Sequence, residues 1–386
     1  MKPSKRLQHI VSRAKTLPFY RERLAQVDPE NLSASDVSAL PFITRDDLSE
    51  HFKADPNGGF LTENIVQMHL TPAPGIRRMP EYLTKNDLAW QAEAAVVQFE
   101  RCGLTSKDKC LVVFSYHMLA GGWLMHEGLT KLGATVLALG PADAGQVVEI
   151  AETYGFNILV SNPSFARKIG EAGGKFEKLI AAGEPFTAVP GYREGVEEAL
   201  NCKAYDAYGL SETGVVAAET EAQDGLHPVE QSCILEVLDP QTLNPVADGE
   251  KGELVITSLT REGMPILRFR TGDLTLKDSR NGKLFLPRGV FGRTDTMVKV
   301  KGVKFYPKEL LFILASVPGL NFRNYQVVLT SAESGTDYVT LKLEGKNDTK
   351  LGDLAERLRS ATGIGMNEIE VLPSVEGDLL VDKRFG

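Results

Sequence analysis

The sequence predicts an α/β protein: a large N-terminal domain with mostly parallel sheets plus a small β subdomain, followed by a small α+β C-terminal domain. Three observations predict it. Between residues 110 and 200, short apolar runs alternate with helical periodicity, the pattern of a doubly wound sheet buried on both faces. After Gly214 the pattern changes to short strands punctuated by Asp-Gly, Pro and Asn-Gly turns, as in antiparallel hairpins. From Thr296 onward strands and helices mix again, and 386 residues exceed what one ordinary core holds.

Taken in order, residues 6–15 have amphipathic helical spacing, with Leu7, Ile10, Val11 and Ala14 on one face. Ser33 and Ser35 beside Asp36 suggest a cap, and Thr44 caps a short helix over RDDLSEHF. Residues 86–101 form a long helix. Strands are expected at 110–116, 134–139, 157–161 and 178–182, with helices at 121–132, 144–154, 164–172 and 192–200. Trp123 and Met125 are expected in helix core. Residues 201–205 make a short strand leading into a loop, and the β subdomain has strands at 232–238, 252–257, 266–269 and 283–285. Beyond it, VKVKGVKFY reads as strand, turn, strand, and Pro307 opens a helix at 308–315, since Pro suits the first turn. Strands at 325–330, 337–343 and 368–372 and a helix at 351–362 complete the chain.

Bulk properties exclude several classes. Formal charge is 43 − 51 = −8 with no Lys/Arg run, which argues against nucleic-acid binding. No apolar run approaches the roughly 20 residues that span a bilayer, and the basic N-terminus lacks a signal peptide's apolar core. The four cysteines have no CxxC spacing, and Cys110 and Cys233 read as core thiols, which suits the cytoplasm.

Ligands of such sheets sit beyond the carboxyl ends of the strands. Tyr116-His117, Asn162-Pro163, Gly183-Glu184-Pro185 and Tyr208 to Glu212 all fall there. The stretch AYDAYGLSETG, residues 204–214, is the richest. The Tyr208 ring can flank a base, Gly209 allows close approach, and Ser211, Thr213 and the Glu212 carboxylate can hold hydrated Mg²⁺ beside phosphates. Taken alone, it reads first as an ordinary strand-end turn.

It is not alone. AAGEPF (181–186), AYDAYGLSETG, LRFRTGDL (267–274) and GRTDTMVKVKGVKFYPKEL (292–310) in this order resemble the adenylate-forming acyl-CoA synthetase superfamily, within it the phenylacetate–CoA ligase branch, over residues 18–377. The resemblance implies a ligase that activates a phenylacetate-like carboxylic acid with ATP as acyl-AMP and passes it to CoA, using Mg²⁺. It also implies an N-terminal domain over 1–292 and a mobile lid over 293–386, hinged near Asp295. Gly183, Glu184, Pro185, Tyr208, Gly209 and Ser211 would then bind the nucleotide, Asp273 the ribose hydroxyls and Gly302 the pantetheine arm. Glu212 would ligate Mg²⁺ and serve catalysis with Arg293, while Tyr116, His117 and Gly121 would line the acyl pocket. Arg268 and Arg270 would alternate on a strand, one face toward the site. The branch includes dimers, so a homodimer is implied. Zinc is not expected, because His227 has no cysteines beside it.

Two segments depart from the family. Residues 67–84 carry Pro72, Pro74 and Pro80 where relatives have a Ser/Thr/Gly phosphate loop, and proline donates no N–H; Arg77 and Arg78 can contact phosphate as charges. Gly377-Asp378 stands where relatives have Gly-Lys, leaving Lys383, or Arg384, as the candidate catalytic cation. Both departures touch the pyrophosphate-releasing step. An active ligase, an acyl transferase working on preformed acyl-AMP or acyl-CoA, and an inactive binding partner therefore all remain open.

Overall fold

The computed structural model describes residues 2–73, 76–189, 191–294, 298–300, 303–317, 320–331, 337–346 and 351–384. The expected hinge residue Asp295 and pantetheine glycine Gly302 lie outside the described residues, as do Pro74 and Gly75.

The chain opens with α1 (Pro3–Ala14), α2 (Pro18–Arg21), the short strand β1 (Ile43–Thr44) and α3 (Arg45–Ala54). On α1, Leu7, Ile10, Val11 and Ala14 are fully buried, as their spacing requires. Thr44 starts α3 with a capping box: its hydroxyl oxygen accepts from the Asp47 amide at 3.1 Å, and its own amide donates to the Asp47 carboxylate at 2.8 Å. β2 (Ile65–Ala73) and β3 (Ile76–Thr84) then pair antiparallel. The stretch expected as a phosphate-type loop is therefore mostly a hairpin, and a two-stranded ribbon tolerates prolines 72 and 80 because its outer edges need no N–H.

The main sheet is built from α4 (Lys85–Arg101), β4 (Lys109–Val112), α5 (Ala120–Leu132), β5 (Thr135–Ala138), α6 (Ala144–Tyr154), β6 (Ile158–Ser161), α7 (Pro163–Glu171), β7 (Lys178–Ala182), α8 (Tyr192–Leu200), β8 (Lys203–Leu210), β9 (Gly214–Ala218) and β10 (His227–Pro228). Its order is β10-β9-β8-β7-β6-β4-β5. Pairing is parallel from β5 to β8 and antiparallel across β8, β9 and β10. Two strand limits differ from expectation. β4 stops at Val112, which frees residues 113–116 as a loop, and β8 continues through Tyr208 and Gly209 because β9 folds back to pair with it.

A second sheet uses β11 (Cys233–Leu238), β12 (Lys251–Ser258), β13 (Phe269–Leu276) and, beyond the small hairpin β14 (Asp278–Arg280) and β15 (Lys283–Phe285), β16 (Val290–Arg293). Its order is β1-β13-β12-β11, with β16 also on β13. A strand was expected at 266–269, but it begins where that span ends. Arg268 sits at φ +45°, a left-handed conformation that a regular strand does not accept. Arg268 and Arg270 do not turn to the site: each is paired within this sheet, to Glu236 at 2.9 Å and Glu253 at 2.7 Å.

The C-terminal segment comprises β17 (Val298–Val300), β18 (Val303–Phe305), α9 (Leu310–Ser316), β19 (Tyr325–Ser331), β20 (Asp337–Glu344), α10 (Leu354–Thr362), β21 (Glu368–Leu372) and β22 (Leu380–Asp382). Its sheet, β21-β20-β19-β22, packs around a core of its own that includes Phe305, Leu314, Val327, Leu341 and Leu358. Cys102, Cys110 and Cys233 are buried free thiols, and burial pushes the first two up to about 12. No described helix is long and apolar enough to cross a membrane.

Candidate functional site

At the carboxyl ends of β7 and β8 a cavity of 620 Å³ opens between the main sheet, β13, β16 and the C-terminal segment. Cavities of about 300–1,000 Å³ are the usual size for small-molecule sites. Gly183, Glu184 and Pro185 follow β7 and line it, as do Tyr208 and Gly209 on β8, Asp273 on β13 and Arg293 on β16. Seven of the residues expected to form a nucleotide site thus share one wall. Leu311, Lys308 and residues 322–325 close it from the C-terminal side.

Register explains how the polar centre forms. Asp273 and Arg293 are direct partners across β13 and β16, so the Arg293 Nη1 donates to Asp273 Oδ1 at 2.7 Å. From the neighbouring sheet the Tyr208 hydroxyl donates to Oδ2, also at 2.7 Å. Burial pushes the Asp273 carboxyl up, and the Tyr208 hydroxyl and the Arg293 charge oppose that shift. Tyr208 is itself pushed well up by burial and by the adjacent carboxylate, so it stays a donor. Glu184 turns its carboxylate to the start of α7, accepting from the Ser164 amide and hydroxyl at 3.1 and 2.8 Å.

Sequence reasoning missed Asp206, two residues before Tyr208 on the same strand. It lines this cavity, and burial raises its carboxyl to about 6. Thr187 donates to Oδ2 through its hydroxyl at 2.6 Å and its amide at 3.2 Å, while Oδ1 accepts no hydrogen bond among the described residues. The signal available was the i, i+2 spacing to Tyr208, which puts both side chains on one face.

A second cavity of 390 Å³ adjoins the first and shares Gly183, Ala207, Tyr208, Gly209 and Leu210 with it. Gly121 and Ser211 line it. Gly122 lets α5 approach the 113–116 loop: a Cβ there would lie 2.6 Å from the Ser115 carbonyl oxygen. Two residues expected in this wall are elsewhere. Tyr116 packs edge-on against Trp123 at 5.4 Å, and His117 is exposed. Phe114 lines the cavity instead, beside the shared Tyr208. Trp123, expected in the core, is 38% exposed, with its Nε1 donating to the Tyr116 carbonyl at 2.8 Å. Met125 is buried as expected.

The expected catalytic groups divide. Arg293 is in the cavity; Glu212 and Lys383 are not among its walls. The Glu212 side chain is buried, and Arg45 holds its Oε1 through Nε at 2.8 Å and Nη2 at 2.7 Å. That carboxylate is a counter-ion for α3, and no group of three or more His, Cys, Asp or Glu among the described residues could hold a metal. No all-protein Mg²⁺ cage is present among the described residues, and the expected ligand Glu212 has its Oε1 engaged by Arg45. Lys383 follows β22, which runs parallel to β19 with Leu380 opposite Val327 and Asp382 opposite Leu329. Leu379 and Tyr325 line the cavity, so four further residues at about 3.3 Å each carry Lys383 roughly 13 Å along the strand from it. Lys383 is exposed there, and Arg384 is committed to Asp382 and Asp337 at 2.7 and 3.1 Å. Among the described residues, the lysine that lines the cavity is Lys308.

Behind the second cavity lies a buried pair, Arg261 and Glu81, 3.7 Å apart and each 2% exposed. Burial raises Glu81 from an ordinary 4.5 to about 8, against the pull of Arg261. A raised acid pKa favours the protonated form in the fold, so this stabilisation is complete below about 4.5 and is lost as pH rises through about 8. Glu81→Gln is expected to gain stability relative to the parent, on the order of 1 kcal/mol per pH unit, between pH 5 and 8. Urea midpoints at pH 5, 6.5 and 8 check this; a constant difference between the two proteins at all three would refute it.

Known proteins are similar to this chain in sequence and in fold. The AMP-binding enzyme family matches residues 82–260. The chain is 31% identical over 349 residues to the phenylacetate-coenzyme A ligase of Thermus thermophilus, covering 85% of this chain and 77% of that protein. It is 28% identical over 375 residues to the enzyme of that name from Pseudomonas putida, covering 90% and 84%. In structure it is similar to 2-hydroxyisobutyryl-CoA ligase solved in an open conformation with its acyl-AMP and CoA, with a TM-score of 0.78, 24% identity and coverage of 99% of this chain and 91% of that one. The chain belongs to the phenylacetate–CoA ligase-like branch of the adenylate-forming enzymes.

Proposed function

We propose that this protein activates an arylacetic-type carboxylic acid with ATP and transfers the acyl group to CoA. The observation that carries this reading is the junction of two cavities: one with a polar centre of Tyr208, Asp273 and Arg293, and a neighbour walled in part by Phe114, Leu124, Met125 and Val215. A carboxylate seated with its apolar body in the second cavity presents its oxygens at the shared Gly183, Tyr208 and Gly209 wall. There a carboxylate oxygen bonds to the α-phosphorus of ATP and pyrophosphate leaves. The CoA thiol then attacks the acyl carbonyl, gives up its proton and releases AMP. Asp273 accepts from the ribose hydroxyls, Arg293 holds charge beside them, and the segment 293–386 acts as the lid that exchanges between the two steps near Asp295. The relatives named phenylacetate–CoA ligase support the acid class, and the similar 2-hydroxyisobutyryl-CoA ligase, solved with acyl-AMP and CoA, supports the order of intermediates.

Acid-dependent pyrophosphate release from ATP, followed by mass-spectrometric detection of the CoA thioester, tests the reading. Release of neither product with any aryl acid overturns it. One observation favours a second reading, in which preformed acyl-AMP is the substrate: Glu212 is tied to Arg45 and Lys383 stands away from the cavity. Thioester formation from supplied acyl-AMP, without pyrophosphate release from ATP, separates the two.

Asp206 gives the site a pH dependence. Asp206 lines the cavity with Thr187 on Oδ2 alone, an ionised Oδ1 would accept from a ligand amine, and burial raises the carboxyl to about 6. AMP affinity is expected to fall as pH drops below 6, by up to about tenfold per unit. Asp206→Asn should flatten that profile, and a parent protein whose AMP affinity is constant from pH 5 to 7 refutes it.

A further inference from the structure

The smaller cavity contains a polar side chain that neither the fold nor the chemistry above employs. Gln98, on α4, lines it and is 1% exposed. Its Nε2 has only the Met125 sulfur as partner, at 4.0 Å, and its Oε1 accepts no hydrogen bond among the described residues. Thioether sulfur is a weak acceptor, and more than about 90% of buried polar groups in folded proteins have a proper partner. Packing does not require an amide here. The residues one turn earlier on the same face, Ala94 and Ala95, are small and apolar, and Phe99 and Met125 belong to the same buried cluster. Leu or Met would fill the same volume without leaving a polar group unsatisfied.

Gln98 lines the second cavity but not the nucleotide cavity, which places it away from the junction where the carboxylate is activated. The neighbouring Arg261 makes no hydrogen bond to the amide: its Nη2 donates to the Ser211 carbonyl and faces Glu81. We infer that the substrate completes it: the acid carries a hydroxyl group on its apolar, ring-sized body, remote from the carboxylate, and Gln98 receives that hydroxyl. A hydroxyl both donates and accepts, so it matches Oε1 and Nε2 together. A second carboxylate would match only the donor. This inference rests on the arylacetic-acid reading and narrows it to hydroxylated members.

Calorimetric titration of the full chain with phenylacetate, 3-hydroxyphenylacetate and 4-hydroxyphenylacetate tests it. One hydroxylated acid is expected to bind at least tenfold more tightly than phenylacetate. Gln98→Leu and Gln98→Met, checked for folding by thermal melts, are expected to bring that ratio to one or below while phenylacetate binding holds or improves. A parent protein that prefers phenylacetate, that binds none of the three, or whose preference survives in both variants overturns the inference. Binding is read without turnover, so an absence of pyrophosphate release counts against the ligase reading and leaves this preference separately measurable.

Discussion

Asp273→Ala is expected to weaken AMP binding by a hundredfold or more, measured by calorimetric titration, with a smaller change in melting temperature. The carboxylate already accepts from Tyr208 and Arg293, one on each oxygen. Two oxygens offer about four lone-pair positions, so both still have capacity for the vicinal hydroxyls of a ribose. Hydrogen bonds to a charged group contribute about 1.5–3 kcal/mol each, and losing two gives roughly 3–6 kcal/mol, or a factor of 10² to 10⁴. Stability suffers less because Arg293 is 39% exposed and water can take over its charge. Asp273→Asn keeps the shape and one acceptor oxygen, and should fall between the two. AMP affinity unchanged in the alanine variant would mean that this cavity does not hold the nucleoside, and the assignment of both cavities would fall with it.

How far the site was legible depended on how local each determinant is. The helices at 144–154 and 192–200 were bounded correctly from sequence because apolar spacing and flanking glycines act within one or two turns. Gly183, Tyr208, Asp273 and Arg293 were also legible. Gly183 and Tyr208 sit at or near the carboxyl ends of their strands, where the sheet gathers ligand-binding loops, while Asp273 and Arg293 were legible through the RFRTGDL and GRTD motifs of the family. Residues whose role depends on a distant partner were not legible. Glu212 reads as a free carboxylate until α3 delivers Arg45, 167 positions earlier in the chain. Tyr116 and Phe114 are two residues apart in an aromatic run, and sequence does not say which ring turns inward once β4 ends at Val112. Gln98 gave no signal, since a glutamine on a helix is normally read as solvent-facing. Lys383 was placed by its proximity in sequence to Asp378, but strand geometry converts five residues into distance rather than reach.

That geometry makes position 378 the informative place to add charge. Asp378 immediately precedes Leu379, which lines the nucleotide cavity, and the Asp378 carbonyl accepts from Gln326 Nε2 at 2.9 Å, fixing the backbone at the cavity edge. The carboxylate there is exposed and adds negative charge at the edge of the cavity proposed to hold the nucleotide. Asp378→Lys reverses the sign at one point, a change of two charges, without touching a buried group. Preorganised charge near a developing phosphoryl transition state is often worth several kcal/mol, so even a partly solvated lysine should raise the rate of acid-dependent pyrophosphate release by tenfold or more. The thioester-forming step, measured from supplied acyl-AMP, should change much less, because pyrophosphate is not the leaving group there. Lys383→Ala is expected to leave both rates within about twofold, since its backbone stands roughly 13 Å along the β22 direction from the cavity-lining Leu379. A large loss in Lys383→Ala, or no gain in Asp378→Lys, would mean that the tail reaches the phosphates by a path other than the strand pairing of β22 with β19.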